Sequence, residues 1–231
     1  MLQIIFLLLI SWFILWVFEK KNLLVLGLTP TSKRLKYFTI LFIVSSFLSA
    51  TTFFLKMYFA KEVYTISETL TTKSILLETW YQFRSVLTEE LICRGALLYL
   101  LIKKIGQTKA IITSSVIFAA LHWLNAGVWG NLSQMTIIFV FTFLMGLLLA
   151  YAYAKTFSLL IPFAIHFGWN LTQNYIFPDT ATGNHIFILA EPPPSVTISY
   201  LAFFTMLFLP KIAVLLVNYL IIKKYPQAKV I

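Results

Sequence analysis

Six polar side chains interrupt stretches that are otherwise apolar: Glu89, Glu90 and Arg94 in "VLTEELICRGALL", His122 in "FAALH", and His166 and Asn170 in "HFGWN". A carboxylate and an imidazole that converge on one water can take its proton, and the water then attacks a carbonyl carbon. A second imidazole and a carboxamide N–H can donate hydrogen bonds to the oxyanion that develops. The set suits hydrolysis of an amide bond. Serine and cysteine chemistry fits less well, because Ser114 and Ser115 precede His122 by only eight and seven residues and no GxSxG elbow occurs. HExxH is also absent.

The elements that must hold these groups are membrane helices. The chain has 231 residues, 60% of them hydrophobic and 11% charged, and its mean hydropathy is +0.87, far from the composition of a soluble domain. Crossing a hydrocarbon core of about 30 Å takes roughly 20 apolar residues. Seven candidate spans follow, at residues 2–18, 37–59, 82–102, 110–126, 133–154, 157–177 and 198–222. The expected fold is an all-α transmembrane bundle forming one integral membrane domain over 1–231, with a catalytic core near 82–177. Residues 61–81 mix charged and apolar side chains, and continuing that helix to Lys104 would exceed about 60 Å. An interfacial amphipathic helix is expected there.

The net charge of +10 is scattered between apolar runs rather than gathered on a soluble face, which argues against a nucleic-acid partner. Basic residues cluster at Lys20, Lys21, Lys33, Arg34 and Lys36, at Lys103, Lys104 and Lys109, at Lys155, and at Lys223, Lys224 and Lys229. With seven spans all four clusters fall on one side, cytoplasmic by the positive-inside rule, with the amino terminus outside and the carboxyl terminus in the cytoplasm. Trp80, Trp123 and Trp129 fall near the expected outer interface. The single cysteine, Cys93, excludes an internal disulfide and reads as a small buried residue.

Depth relates the polar groups to one another. Counted from Lys103, Lys109 and Lys155 at about 1.5 Å per residue, Glu89, Glu90, His122, His166 and Asn170 all lie roughly 16–22 Å from the basic face. Glu90 and Arg94 are four apart and pair on one helical face. Glu89, rotated about 100° from Glu90, has no obvious local partner. Lys211, after Pro210, reads as a snorkelling lysine on a kinked helix, and His185 as a solvated loop residue.

The ordered set EExxxR at Glu89, Glu90 and Arg94, FxxxH at Phe118 and His122, and HxxxN at His166 and Asn170 resembles the CPBP family of CAAX-protease and bacteriocin-processing (Abi) intramembrane proteases. The resemblance implies an all-helical intramembrane endopeptidase acting on a hydrophobic or membrane-associated peptide. It implies that Glu89 activates water with His122, that His166 and Asn170 bind the oxyanion, and that Glu90, Arg94 and Phe118 support the site. In a metal-dependent version Glu89, His122 and His166 would ligate zinc, a chemically reasonable donor set. A site nearer the outer face points to an exported or membrane-embedded peptide rather than a prenylated CAAX protein. Two other readings use the same residues: a non-catalytic bacteriocin-immunity or scaffold protein, and a transporter with Glu89, Glu90, Arg94 and Lys211 as an ion or proton path.

Overall fold

The computed structural model describes residues 2–178, 184–190 and 194–228. Its helices are α1 (Leu2–Glu19), α2 (Ser32–Phe59), α3 (Thr72–Arg94), α4 (Ala96–Ile105), α5 (Gln107–Leu121), α6 (Leu132–Thr156), α7 (Leu160–Leu171) and α8 (Tyr200–Lys223), with two short strands, β1 (Tyr64–Ile66) and β2 (Phe187–Leu189). The protein is an all-α bundle. Side chains on the outward faces are apolar and exposed, as at Phe6 (63%), Phe47 (62%) and Leu220 (56%), the surface expected where the surrounding solvent is lipid rather than water.

Four helices, α1, α2, α6 and α8, are long and apolar enough to cross a membrane, where seven spans are expected from the sequence. The remaining segments fall short for identifiable reasons. At about 1.5 Å per residue the 15 residues of α5 and the 12 of α7 reach only about 23 and 18 Å. The expected span 82–102 is broken at Gly95, where α3 ends and α4 begins. Any side chain at this position would run into the Leu91 carbonyl, so only glycine fits the break.

The expected interfacial helix over 61–81 is formed only from Thr72 on, as the first turns of α3. Tyr64–Ile66 instead pairs antiparallel with Phe187–Leu189. The helix then starts at Thr72, fixed by a capping box in which the Thr71 hydroxyl accepts from the Ser74 N–H and the Ser74 hydroxyl accepts from the Thr71 N–H. From there α3 runs unbroken to Arg94, through the two glutamates.

The four basic clusters meet at one end of the bundle, apart from Lys229, which lies outside the described residues. Lys103 donates to Glu19 at 2.9 Å, the Ala228 N–H to the Lys155 carbonyl at 3.1 Å, and the Ser158 hydroxyl to the Gly27 carbonyl at 2.8 Å. The Lys33 ammonium lies 4.7 Å from the Tyr225 ring. These contacts tie the ends of α1, α2, α4, α6 and α8 into one face.

α7 is clamped against α2. A Cβ on Gly168 would lie 2.6 Å from the Phe42 carbonyl oxygen and 3.0 Å from the Ser46 hydroxyl, so the two backbones approach as closely as a small residue permits. Ser46 and Ser49 donate to the Gly168 and Trp169 carbonyls at 3.3 and 3.1 Å. The Gln173 amide reaches the Ser49 carbonyl and Thr52. In lipid, such polar contacts hold helices together where apolar burial supplies little drive. They fix the helix that carries His166 and Asn170.

Candidate active site

The functional side chains arrive on three passes of the chain. Glu89, Glu90 and Arg94 occupy the last two turns of α3, His122 caps α5, and His166 and Asn170 sit one turn apart on α7. His122 is thus at a helix end and not inside a span reaching residue 126. The four terminal carbonyls of a helix lack intrahelical partners, and the His122 imidazole serves one of them: its Nδ1 lies 2.8 Å from the Phe118 carbonyl oxygen. A carbonyl only accepts, so Nδ1 carries the proton and Nε2 presents a lone pair.

The same logic fixes His166. Its Nδ1 is 2.8 Å from Glu90 Oε1, and the Asn170 Nδ2 is 3.2 Å from its Nε2. With Glu90 ionised, Nδ1–H donates to the carboxylate, and Nε2 accepts from the Asn170 amide. Both imidazoles therefore turn Nε2 toward Glu89. Its Oε2 stands 3.7 Å from His166 Nε2 and 3.9 Å from His122 Nε2. Those separations exceed a direct hydrogen bond and suit one water between the groups. Glu89 Oε2 is buried and has no hydrogen-bond partner among the described residues, a state a carboxylate oxygen avoids unless something outside the chain satisfies it.

The side chains counted to one level come together, whereas the division of labour between the glutamates is only half as read from the sequence. Glu90 is fully buried, and its Oε1 accepts from Arg94 Nη1 at 3.0 Å as well as from His166. It is a bridge between two helices and not merely the partner of Arg94. Glu89 does have a local contact, a long 3.5 Å hydrogen bond from Ser85 to its Oε1, yet its side chain stays 32% exposed.

Phe118 is the apolar floor of the site. The Arg94 guanidinium lies 4.0 Å from its ring centroid, and the His122 and His166 rings meet it edge-on at 4.5 and 5.6 Å. Desolvated guanidinium–aromatic contact is favourable and offsets part of the burial of Arg94. Behind it, a Cβ on Gly146 would come within 3.3 Å of the Phe118 ring and 3.1 Å of the Ser115 backbone, so α6 holds the floor in place.

The other candidates have structural partners. Ser114 donates to the Cys93 carbonyl and Ser115 to the Ile111 carbonyl, and Cys93 itself is fully buried in the apolar core. His185 is half-buried, follows the sheet's approach to β2 and does not join the site. Lys211 contacts neither glutamate: its amine donates to the Leu207 carbonyl at 3.0 Å and lies 5.1 Å from the Phe141 ring.

A cavity of about 130 Å³ opens beside the histidines, lined by Phe118, His122, His166, Asn170, Trp169 and Lys211 together with apolar residues of α6 and α8. Sequence reasoning missed its α6 wall, Phe141, Thr142 and Met145. In a helix of mean composition as apolar as α6, nothing in the sequence separates a cavity wall from a lipid-facing side.

Zinc ligands at about 2.0–2.1 Å in tetrahedral array stand about 3.3 Å apart, closer than the 3.7 and 3.9 Å found here. One of the two imidazole lone pairs already receives the Asn170 N–H. No group of three His, Cys, Asp or Glu side chains among the described residues is drawn together to hold a metal. As placed, Glu89, His122 and His166 do not fit a zinc site.

Residues 71–172 match the family model described as Type II CAAX prenyl endopeptidase Rce1-like. The match covers less than half of the chain and makes this segment similar to that family. The matched range opens at Thr71, the cap of α3, and closes at Thr172, just after α7, so it contains Glu89, Glu90, Arg94, Phe118, His122, His166 and Asn170. The resemblance read from the motifs is borne out, and at family level it carries a membrane-embedded peptidase. No match was found among curated proteins or among solved structures.

Proposed function

We propose that this protein is an intramembrane endopeptidase that hydrolyses a peptide bond in a hydrophobic or membrane-associated peptide. The observation that carries the reading is that Glu89 Oε2 faces two imidazole Nε2 atoms at 3.7 and 3.9 Å and has no hydrogen-bond partner among the described residues. A water there donates one proton to Glu89 and the other to an Nε2 lone pair, which leaves its oxygen lone pair free for a carbonyl carbon.

Proton transfer to Glu89, with His122 as second acceptor, accompanies attack and yields the tetrahedral intermediate. The Asn170 amide holds one N–H on His166 and has its second N–H for the oxyanion. Glu90, held by Arg94, keeps the His166 ring in one tautomer and orientation. The proton taken by Glu89 then passes to the leaving amine, and the C–N bond breaks. The core that does this lies within residues 82–177, most of it inside the matched segment 71–172.

The basic end of the bundle faces the cytoplasm in this reading, which puts the amino terminus outside and the carboxyl terminus inside. The site then lies in the outer half of the membrane and receives exported or membrane-embedded peptides. The test is purified protein in lipid nanodiscs, incubated with cell-envelope peptides in heavy-oxygen water. New carboxyl termini bearing the heavy label are expected; intact peptides after prolonged incubation with folded protein would refute the reading.

A further inference from the structure

The side cavity contains a cation with no acidic partner among the described residues. Lys211 lies in the middle of α8, about 18 Å from Lys223 at the basic end, and reaches the same cavity as His122, His166 and Asn170. A cation at this depth is costly and marks function by default. Its amine has three protons. One is given to the Leu207 carbonyl of its own helix and none to a carboxylate among the described residues. The cavity on its other side is lined by Thr52, Lys56, Gln173 and Lys211 with apolar residues, and among the described residues no acidic side chain lines either cavity. Met145, Val214 and Leu215 make the rest of the wall apolar, which sharpens the field of the ammonium.

We propose that Lys211 is a specificity residue that receives a carboxylate of the peptide, so that the bond cleaved lies within a few residues of an anionic group. An ammonium set in an apolar wall selects a carboxylate, either a free carboxyl terminus or an acidic side chain. The geometry is directional. Glu89 shares a cavity with His122 and Asn125 that Lys211 does not line, whereas Lys211 shares its cavity with His122, His166 and Asn170 and not with Glu89. Substrate passing over the site therefore has its carbonyl oxygen and its carboxylate on the donor side, away from the general base. A neutral apolar group in the same place leaves the ammonium desolvated and unpaired, which selects against it. The inference rests on the peptidase reading for the ligand being a peptide.

Affinity selection with the inactive Glu89→Gln protein in detergent separates the two ideas, because it reads binding alone. The probe is an equimolar mixture of apolar pentapeptides, each made with a free carboxyl terminus, with an amidated terminus, and amidated with one internal glutamate. Enrichment of at least one carboxylate form over the matching neutral form by about tenfold is expected, the worth of one charge-assisted hydrogen bond. The preference should vanish with Lys211→Met and persist with Lys211→Arg; which carboxylate form is enriched tells terminus from side chain. Equal enrichment of all forms, no enrichment of any, or a preference that survives Lys211→Met each overturns the proposal. Should Lys211→Met fail to fold, the wild-type lysine's preference between forms still decides it. Cleavage by the wild type without carboxylate preference would leave the peptidase reading standing and this one refuted.

Discussion

Replacing Glu90 by Gln tests how stability and chemistry share one side chain. Glu90 is fully buried, and Oε1 accepts from Arg94 Nη1 at 3.0 Å and His166 Nδ1 at 2.8 Å. Glutamine keeps the shape and one acceptor but leaves a fully buried guanidinium without its counter-charge. Breaking a buried pair in this way costs about 3–5 kcal/mol, and the surviving acceptor puts the expected loss near the lower end, about 3 kcal/mol. Folds are stable by about 5–15 kcal/mol, so the variant should fold and unfold early. The chemical effect is separate. A carboxamide can turn its NH₂ toward Nδ1 and force the wrong tautomer, a change that lowers kcat by about 10⁴ in the serine triad; a fall of that order is the upper bound here. Unfolding in mixed micelles with added dodecyl sulfate, followed by tryptophan fluorescence, gives the first number, and peptide cleavage by the same preparation the second. The double variant Glu90→Leu with Arg94→Leu removes both charges and should regain most of the stability while remaining inactive. An unfolding midpoint and a rate both unchanged in Glu90→Gln would refute the bridging role.

Four further outcomes are expected. Gly168→Ala should destabilise by about 1–3 kcal/mol, the usual cost of overpacking, because the new methyl would lie 2.6 Å from the Phe42 carbonyl oxygen; the micelle unfolding midpoint measures it. Asn170→Ala should lower kcat by about 10²–10³, as for loss of one oxyanion donor, with KM little changed in steady-state kinetics. The Glu19–Lys103 pair is partly exposed, 15% and 30%, so Glu19→Gln should shift stability by less than about 1 kcal/mol, and a larger shift in unfolding would show that the basic end is held differently. A zinc chelator should leave the cleavage rate unchanged, since Glu89, His122 and His166 are not arranged as ligands; loss of activity restored by added zinc would contradict that arrangement.

The convergence of the site was legible because helices rise evenly: counting from Lys103, Lys109 and Lys155 brought Glu89, His122 and His166 to one level, and their side chains meet there. The pairing of Glu90 with Arg94 was legible for the same reason, since four residues make one helical turn. The second bond of Glu90, to His166, was not. It joins residues 76 apart in the sequence, and no spacing rule within one helix reaches that far. The strand Tyr64–Ile66 escaped for a similar reason: it is three residues long, too short for alternation to register, and its partner lies more than a hundred residues away. The helix end at His122 was hidden by the apolar residues after it, Trp123 and Leu124, which continue the hydropathy of α5 although the backbone has already turned. Lys211 stood out as a charge in an apolar run, but its place beside Asn170 depends on how α8 packs against α6 and α7.

The central claim is that Glu89 takes the proton of the attacking water. It is tested most directly by the single-turnover cleavage rate of Glu89→Gln against the wild type, measured on protein whose unfolding midpoint is unchanged. Loss of a general base lowers the rate by about 10²–10⁴, and that fall with the fold intact is the predicted result. A Glu89→Gln protein that cleaves at the wild-type rate would contradict the account.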